Sequence, residues 1–301
     1  MSTFWQGRRV LLTGHTGFKG AWMSLWLRTL GAEATGLALA PATTPNLWSM
    51  VGAGVRSVIG DITDAALVRD VVQSVRPQIV IHLAAQALVP DSYRDPLRTY
   101  ATNVLGTANL LQACRFAPGL ECVLVVTSDK VYEPGGRGHA FMESDRLGGA
   151  DPYSGSKACA ELLTGSFRDS FYRDGPPVAT ARAGNVIGGG DWSSERLIPD
   201  CVRALAAGVP VSLRYPDAVR PWQHVLEPLS GYLALAQALI LSSALAQRTL
   251  GWRPQLSLGA CLSWSADWYR AHFDGEDMLA LCQKQIAQYQ DLVLTNRKLY
   301  S

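Results

Sequence analysis

The residues that could carry chemistry stand in two short stretches, Ser128-Asp129-Lys130 and Tyr153-Ser154-Gly155-Ser156-Lys157. Tyr153 and Lys157 are four apart, so on a helix they share one face. A tyrosine that takes a proton from a hydroxyl must first lose its own near neutral pH. Its ordinary pKa is about 10, so a neighbouring cation is needed to hold the phenolate. Ser128 can hydrogen-bond the same hydroxyl. Asp129 and Lys130 add an acid and an amine side by side, able to divide two proton transfers between adjacent carbons and to shift each other's pKa. A Y-x-x-x-K alone is a common surface pair, and an Asp-Lys pair is a common turn. Their place in the chain is what gives them weight.

The elements that would position them begin at an apolar run, residues 10–12, the kind of strand buried on both faces of a parallel sheet. Gly14, Gly17 and Gly20 follow at three-residue spacing, and then a helical stripe of Ala21, Trp22, Leu25 and Trp26. A strand, a glycine turn and a helix in that order bring backbone N–H groups and a helix N-terminus to a diphosphate. Gly14 allows the tight turn, Gly17 lets the backbone approach the pyrophosphate, and Gly20 lets the helix pack on the strand. Thr16 and Phe18 lie in the same turn.

Further strands are predicted at residues 33–39, 58–62, 78–83, 121–127 and 178–183. The second runs into Ala40-Pro41, with neither an acid for a ribose nor an arginine for a 2′-phosphate, so it does not choose between NAD and NADP. Asp61 and Ile62 end the third, where Asp61 reads equally as a cap for a helix over 64–75. The fourth ends in Ala84-Ala85-Gln86, small residues that let backbone lie against a cofactor. A helix over 96–114 carries Asn103. The fifth strand delivers Ser128-Asp129-Lys130 at its carboxyl end, where ligands bind in such sheets, and a helix running to 171 opens around Tyr153. Beyond Asn185 the alternation is lost: helices are expected at 196–207, 221–244 and 257–271, a short strand at 211–214 and a terminal helix after 277. The expected fold is α/β, a Rossmann-type doubly wound parallel sheet over residues 1–184. A smaller C-terminal substrate-binding lobe over 185–301 is interleaved with returns to the main domain.

The chain has 301 residues, 48% hydrophobic and 17% charged, enough for one large α/β domain with a smaller lobe. A net charge of +2 gives no electrostatic basis for nucleic acid or an anionic membrane. No apolar run reaches the roughly 18 residues of a spanning helix. Six scattered cysteines without a C-x-x-C pair read as reduced thiols, not metal ligands. With the first strand starting almost at once, a cytoplasmic protein is expected.

The stretches VLLTGHTGFKG, IHLAAQALV, TYATNVLGT, VVTSDKVYE, DPYSGSK, AGNVIGGGDW and RPWQHV resemble the extended short-chain dehydrogenase/reductases. Within them the sequence resembles the nucleotide-sugar dehydratase/epimerase family, and most specifically its CDP-glucose 4,6-dehydratase branch. The triplet Ser128-Asp129-Lys130 is the telling feature, because sister dTDP-sugar dehydratases carry an Asp-Glu pair there. The resemblance implies a Ser128, Tyr153, Lys157 triad and NAD as cofactor. It implies cofactor contacts from Gly14, Thr16, Gly17, Phe18, Gly20, Asp61, Ile62, Ala84, Ala85, Gln86, Asn103, Tyr153 and Lys157. It places the diphosphate of CDP-glucose on Asn185, Arg196, Arg220 and His224, although His224 reads equally as a capping or packing residue.

The implied chemistry is oxidation at carbon 4 with Tyr153 as base, then loss of water across carbons 5 and 6 through Lys130 and Asp129, then hydride return to carbon 6. The resemblance also implies a homodimer built as a four-helix bundle from helices 96–114 and 153–171, where Ala101, Gly106, Ala158 and Ala160 permit close approach. One departure is large. After Leu239-Ile240 the family carries a further stretch of substrate lobe that this chain lacks, and the likeness resumes at Leu250-Gly251-Trp252-Arg253-Pro254. Two other readings stand beside this one: a 4-epimerase or reductase on the same fold, and a non-catalytic dinucleotide-binding scaffold.

Overall fold

The apolar run at 10–12 is the middle of β1 (Arg9–Thr13), where Val10, Leu11 and Leu12 are completely buried. The computed structural model describes residues 3–52, 54–134, 140–213, 216–241 and 255–299. In it β1 is followed by β2 (Glu33–Ala38), β3 (Arg56–Ile59), β4 (Ile79–His82), β5 (Cys122–Val126) and β6 (Val178–Ala181). These six form one parallel sheet in the order β3-β2-β1-β4-β5-β6. The direction of winding reverses between β1 and β4, and the crevice beyond the carboxyl ends of those strands is where such sheets bind ligands.

Strand alternation splits the interior into two cores. Val10, Leu12, Ile79, Ile81 and Leu124 face one, and Leu11, Val80, Val123 and Val125 face the other. Helices α1 (Phe18–Thr29), α2 (Leu47–Val51) and α3 (Ala65–Val75) follow β1, β2 and β3. Gly31 ends the first at φ +78°, as a C-terminal glycine should. Asp64, not Asp61, caps α3, accepting from the amides of Ala66 and Leu67.

The helix expected over 96–114 is not continuous. After α4 (Val89–Arg94) the chain runs through α5 (Pro96–Tyr100), a π-helical stretch Ala101–Leu105 and α6 (Gly106–Cys114). The wider turn holds Asn103 buried against the neighbouring α7 (Pro152–Phe171), in keeping with the tendency of π-bulges to occur at functional positions.

Beyond residue 184 the structure corrects the sequence in two places. The helix expected from 221 begins only at Leu226. Trp222–His224 is instead a strand, β8, paired in parallel with β7 (Asn185–Ile187). The helical period belongs to the residues after it, in α9 (Leu226–Leu241), which was extended backward across residues that pair as a strand. Residues 211–213 form no strand, and Arg214 lies outside the described residues, as does any continuation of α9 past 241. The remaining helices are α8 (Leu197–Ala206), α10 (Leu258–Phe273) and α11 (Met278–Leu299). The last of these packs on α1 and α2. Tyr289 packs edge-on against Trp26 of α1 at 5.8 Å and donates to the buried Glu227 at 2.6 Å.

Candidate active site

Gly14 leaves β1 at φ +78°, in the left-handed region, and its N–H donates to the Leu37 carbonyl at 2.8 Å. A Cβ here would lie 2.7 Å from the Ala84 nitrogen, and one on Gly20 only 2.0 Å from the Gly14 oxygen. Backbone crowding therefore demands both glycines. Gly17 is exposed and begins α1 with extended backbone and no side-chain cap, so the first amides of the helix are left for another acceptor. Bare backbone beside an uncapped helix N-terminus fits a diphosphate. Phe18 opens α1, and the Thr16 hydroxyl ties the loop to the end of β2, donating to the Leu39 carbonyl at 2.8 Å.

Across the crevice, Ala84-Ala85-Gln86 is pinned from two sides. The Ala84 N–H donates to the Thr13 hydroxyl at 3.1 Å. The Gln86 N–H donates to Asn103 Oδ1 at 2.8 Å, while Asn103 Nδ2 donates to the Gln86 carbonyl and to Ser156 Oγ. Asn103 thus joins the loop after β4 to the helix that carries Tyr153. Asp61 closes its own turn, accepting from the Thr63 amide at 2.8 Å. Ile62 turns its side chain into the core, and a Cβ on Gly106 would touch it at 2.5 Å, so only its backbone faces outward from that packing.

Ser128 caps a single 3-10 turn, Asp129–Val131, at the end of β5. Its hydroxyl accepts from the Lys130 amide at 3.2 Å and donates to Asp129 Oδ1 at 3.1 Å. The turn carries Asp129 and Lys130 into a cavity of about 1320 Å³, which Gly184, Arg220, Gln223 and Tyr232 also line. The Lys130 ammonium is 5.9 Å from the centre of the Tyr153 ring. Tyr153 and Lys157 are buried beside the cavity on the first turns of α7.

Burial pushes the Tyr153 phenol above its ordinary pKa; a hydrogen bond with Ser128 and the charge of Arg196 oppose it, while Asp129 and Asp151 reinforce it. The Lys157 ammonium donates to the Val126 carbonyl at 3.1 Å, and burial lowers it to about 8 against the opposing charge of Glu161. Glu161, one turn further on, is gripped by Arg182 through two hydrogen bonds of 2.9 and 3.0 Å and also accepts from Thr127 and Thr180. Arg182 in turn lies 4.9 Å from the Tyr132 ring, which stacks on Phe141 in the cavity wall.

Two residues of the glycine turn went unread in the sequence. Lys19 is lowered to about 7, by burial first and then by the charges of Arg196 and Lys157, against Asp129. Lys19, Lys157 and Arg196 therefore make one electropositive cluster beside Asp129. His15 is completely buried, 4.6 Å from the Trp48 ring and 2.7 Å from the Ser57 hydroxyl, in the space a side chain on Gly36 would fill. Burial holds its imidazole down to about 4. Polar residues inside a glycine turn were the available signal for both.

The four residues expected to hold a diphosphate stand in β7, at the start of α8 and in or just before β8. Arg220 lines the cavity. Arg196 stands by the Lys19 cluster, paired with Asp191 at 3.0 Å. Asn185 begins β7. His224 does not reach the cavity. It is 0% exposed between Trp22 and Trp264, and its Nδ1 accepts from the Leu226 amide at 3.4 Å, so it packs the core and caps α9. Strand alternation explains this, because in β8 Gln223 is the residue that lines the cavity.

A dinucleotide crevice on a six-stranded parallel sheet, with a serine, a tyrosine and a lysine at its mouth, defines a dinucleotide-dependent enzyme of the short-chain dehydrogenase/reductase kind. Comparison with known proteins narrows this. Residues 10–240 match the model of the NAD dependent epimerase/dehydratase family. The chain is 38% identical over 348 aligned residues to the CDP-glucose 4,6-dehydratase of Salmonella typhimurium, covering 95% of this chain and 97% of that one. It belongs to the NAD dependent epimerase/dehydratase family, and its cofactor is NAD. The alignment is longer than the chain itself, so the Salmonella protein carries residues that this chain lacks. A dTDP-glucose 4,6-dehydratase from Streptomyces venezuelae superposes with a TM-score of 0.75 at 26% identity, over 90% of this chain and 99% of that one. The fold is also that of a UDP-glucose 4-epimerase from Thermotoga maritima, with a TM-score of 0.76 at 20% identity over 88% and 99% of the two chains.

Proposed function

We propose that the chain dehydrates CDP-glucose to CDP-4-keto-6-deoxyglucose. The observation that carries this reading is the position of Asp129 and Lys130, which follow Ser128 into the cavity and bring an acid and an amine beside Tyr153. An epimerase inverts carbon 4 without needing that pair. A dehydratase must move two more protons, at carbons 5 and 6. The likeness to the Salmonella enzyme supports cytidine as the nucleotide.

NAD, when bound, supplies the acceptor for the hydride of carbon 4 and returns it at carbon 6. Tyr153, hydrogen-bonded through Ser128, takes the proton of the carbon-4 hydroxyl. The ketone formed in the sugar acidifies the hydrogen on carbon 5. Lys130 takes that proton, Asp129 gives one to the carbon-6 hydroxyl, which departs as water, and Lys130 returns its proton to carbon 5 as hydride arrives at carbon 6. Lys157 adds positive potential from behind. Residues 1–184 hold the dinucleotide, while 185–301 supply substrate contacts through Arg196, Arg220 and Asn185.

The assembly is a homodimer in this reading. Tyr93, Leu97, Leu105 and Leu162 are large, apolar and more than half exposed on the adjoining helices α4 to α7 and the π-helical stretch between them. A four-helix bundle with a second copy would cover them. Incubation with CDP-glucose and NAD should yield the alkali-stable ultraviolet band of a 4-keto-6-deoxy sugar. A product that keeps its carbon-6 hydroxyl contradicts the reading.

A further inference from the structure

Tyr232 stands on α9, 3% exposed, and lines the same cavity as Asp129 and Lys130. Its hydroxyl oxygen is buried and has no hydrogen-bond partner among the described residues. Its neighbours in the lobe are different. Tyr289 donates to Glu227 and Tyr269 to the Asp191 carbonyl, each at 2.6 Å. A buried hydroxyl left unpaired is costly, and most such groups in folded proteins find a partner. Packing alone does not call for one here, because the adjoining positions on the helix, Leu229, Leu233 and Ala236, are plain apolar core. Phenylalanine would fill the space without the cost.

The surroundings say what kind of partner is missing. The Lys19 ammonium lies 5.9 Å from the Tyr232 ring. Burial pushes the Tyr232 phenol above its ordinary pKa, and the charge of Tyr153 adds to that. The Tyr232 side chain thus stands beside Lys19 and in the wall of the cavity that holds Asp129 and Lys130. We propose that Tyr232 is a substrate-binding residue whose hydroxyl hydrogen-bonds an oxygen of the sugar, and not of the nucleotide. The inference rests on the nucleotide-sugar reading above.

The test is calorimetric titration of the NAD-loaded protein and of its Tyr232→Phe variant, with CDP-glucose and separately with CDP. The variant removes one oxygen atom and keeps the ring. The expected result is a loss of about tenfold in affinity for CDP-glucose with affinity for CDP unchanged, as for one hydrogen bond lost from the sugar. Equal affinities of the two proteins for CDP-glucose overturn the inference and leave the functional reading intact. So does an equal loss for CDP and CDP-glucose, which would mark a structural role. Glucose bound to UDP, dTDP and GDP forms the further arms. A wild type that prefers one of these corrects the nucleotide, and the variant is then judged with that sugar nucleotide and its own diphosphate. A wild type that binds none of the four overturns both.

Discussion

The Lys130 ammonium and the Tyr153 ring are held 5.9 Å apart, across the gap between the end of β5 and the start of α7. The single 3-10 turn after Ser128 makes this possible, because it swings the second residue past Ser128 back toward the helix. Two groups suited to successive proton transfers thereby serve one small volume.

Lys130→Met should retain NAD binding and lose dehydration by about two to four orders of magnitude, the usual worth of a general base. The measurement is turnover together with exchange of the carbon-5 hydrogen in heavy water. Undiminished turnover would remove Lys130 from the reaction.

Lys157 gives a prediction about stability. Its amine is held down to about 8 in the folded chain and titrates near 10.5 when unfolded. Between those values the unfolded chain binds more protons, so stability rises with pH; below about 8 the full cost of burying the cation is present. Lys157→Met should therefore melt higher than wild type at pH 7, with the gap narrowing as pH climbs through 8 to 10. Thermal unfolding of the NAD-free proteins across that range reads it. A variant less stable by a constant amount at every pH contradicts it.

His224 tests the correction made by the structure. Burial lowers its imidazole to about 3 from an unfolded value of 6.5. The unfolded chain alone takes up that proton, so stability is lost as pH falls from 6.5 toward 3. His224→Phe should soften that acid limb and leave KM within about twofold, since the ring packs against Trp22 and Trp264 and is not in the lining of the cavity that holds Asp129 and Lys130. A large rise in KM would return His224 to the substrate site.

Arg182→Met strands Glu161, whose side chain is only 5% exposed. Loss of one partner of such a pair should cost about 3 kcal/mol in urea unfolding. Adding Glu161→Gln should recover part of that loss, since the buried charge goes with it. Strictly additive losses would mean that the two residues do not act as a pair.

The glycine turn, the places of the strands along the chain and the Ser128-Asp129-Lys130 turn were legible because each depends on local sequence: a short apolar run, a turn that needs glycine, a residue at a strand end. Asn103 was legible as a site residue, but not the π-helical stretch that carries it, because backbone hydrogen bonding one residue out of register leaves no compositional trace. The sequence left His224 open between substrate contact and packing for a similar reason. Which face of β8 meets the cavity depends on its pairing with β7, nearly forty residues away in sequence, and no local pattern records it. Lys19 was not legible because a lysine in a first helical turn usually faces water, whereas here its ammonium lies 5.9 Å from the Tyr232 ring of α9.

The central claim is that a hydride leaves carbon 4 and comes back at carbon 6 of the same sugar. CDP-glucose carrying deuterium at carbon 4 tests it directly, with the product read by NMR. The account predicts that the label appears in the new methyl group at carbon 6. Label retained at carbon 4, on a sugar that still bears its carbon-6 hydroxyl, would contradict it.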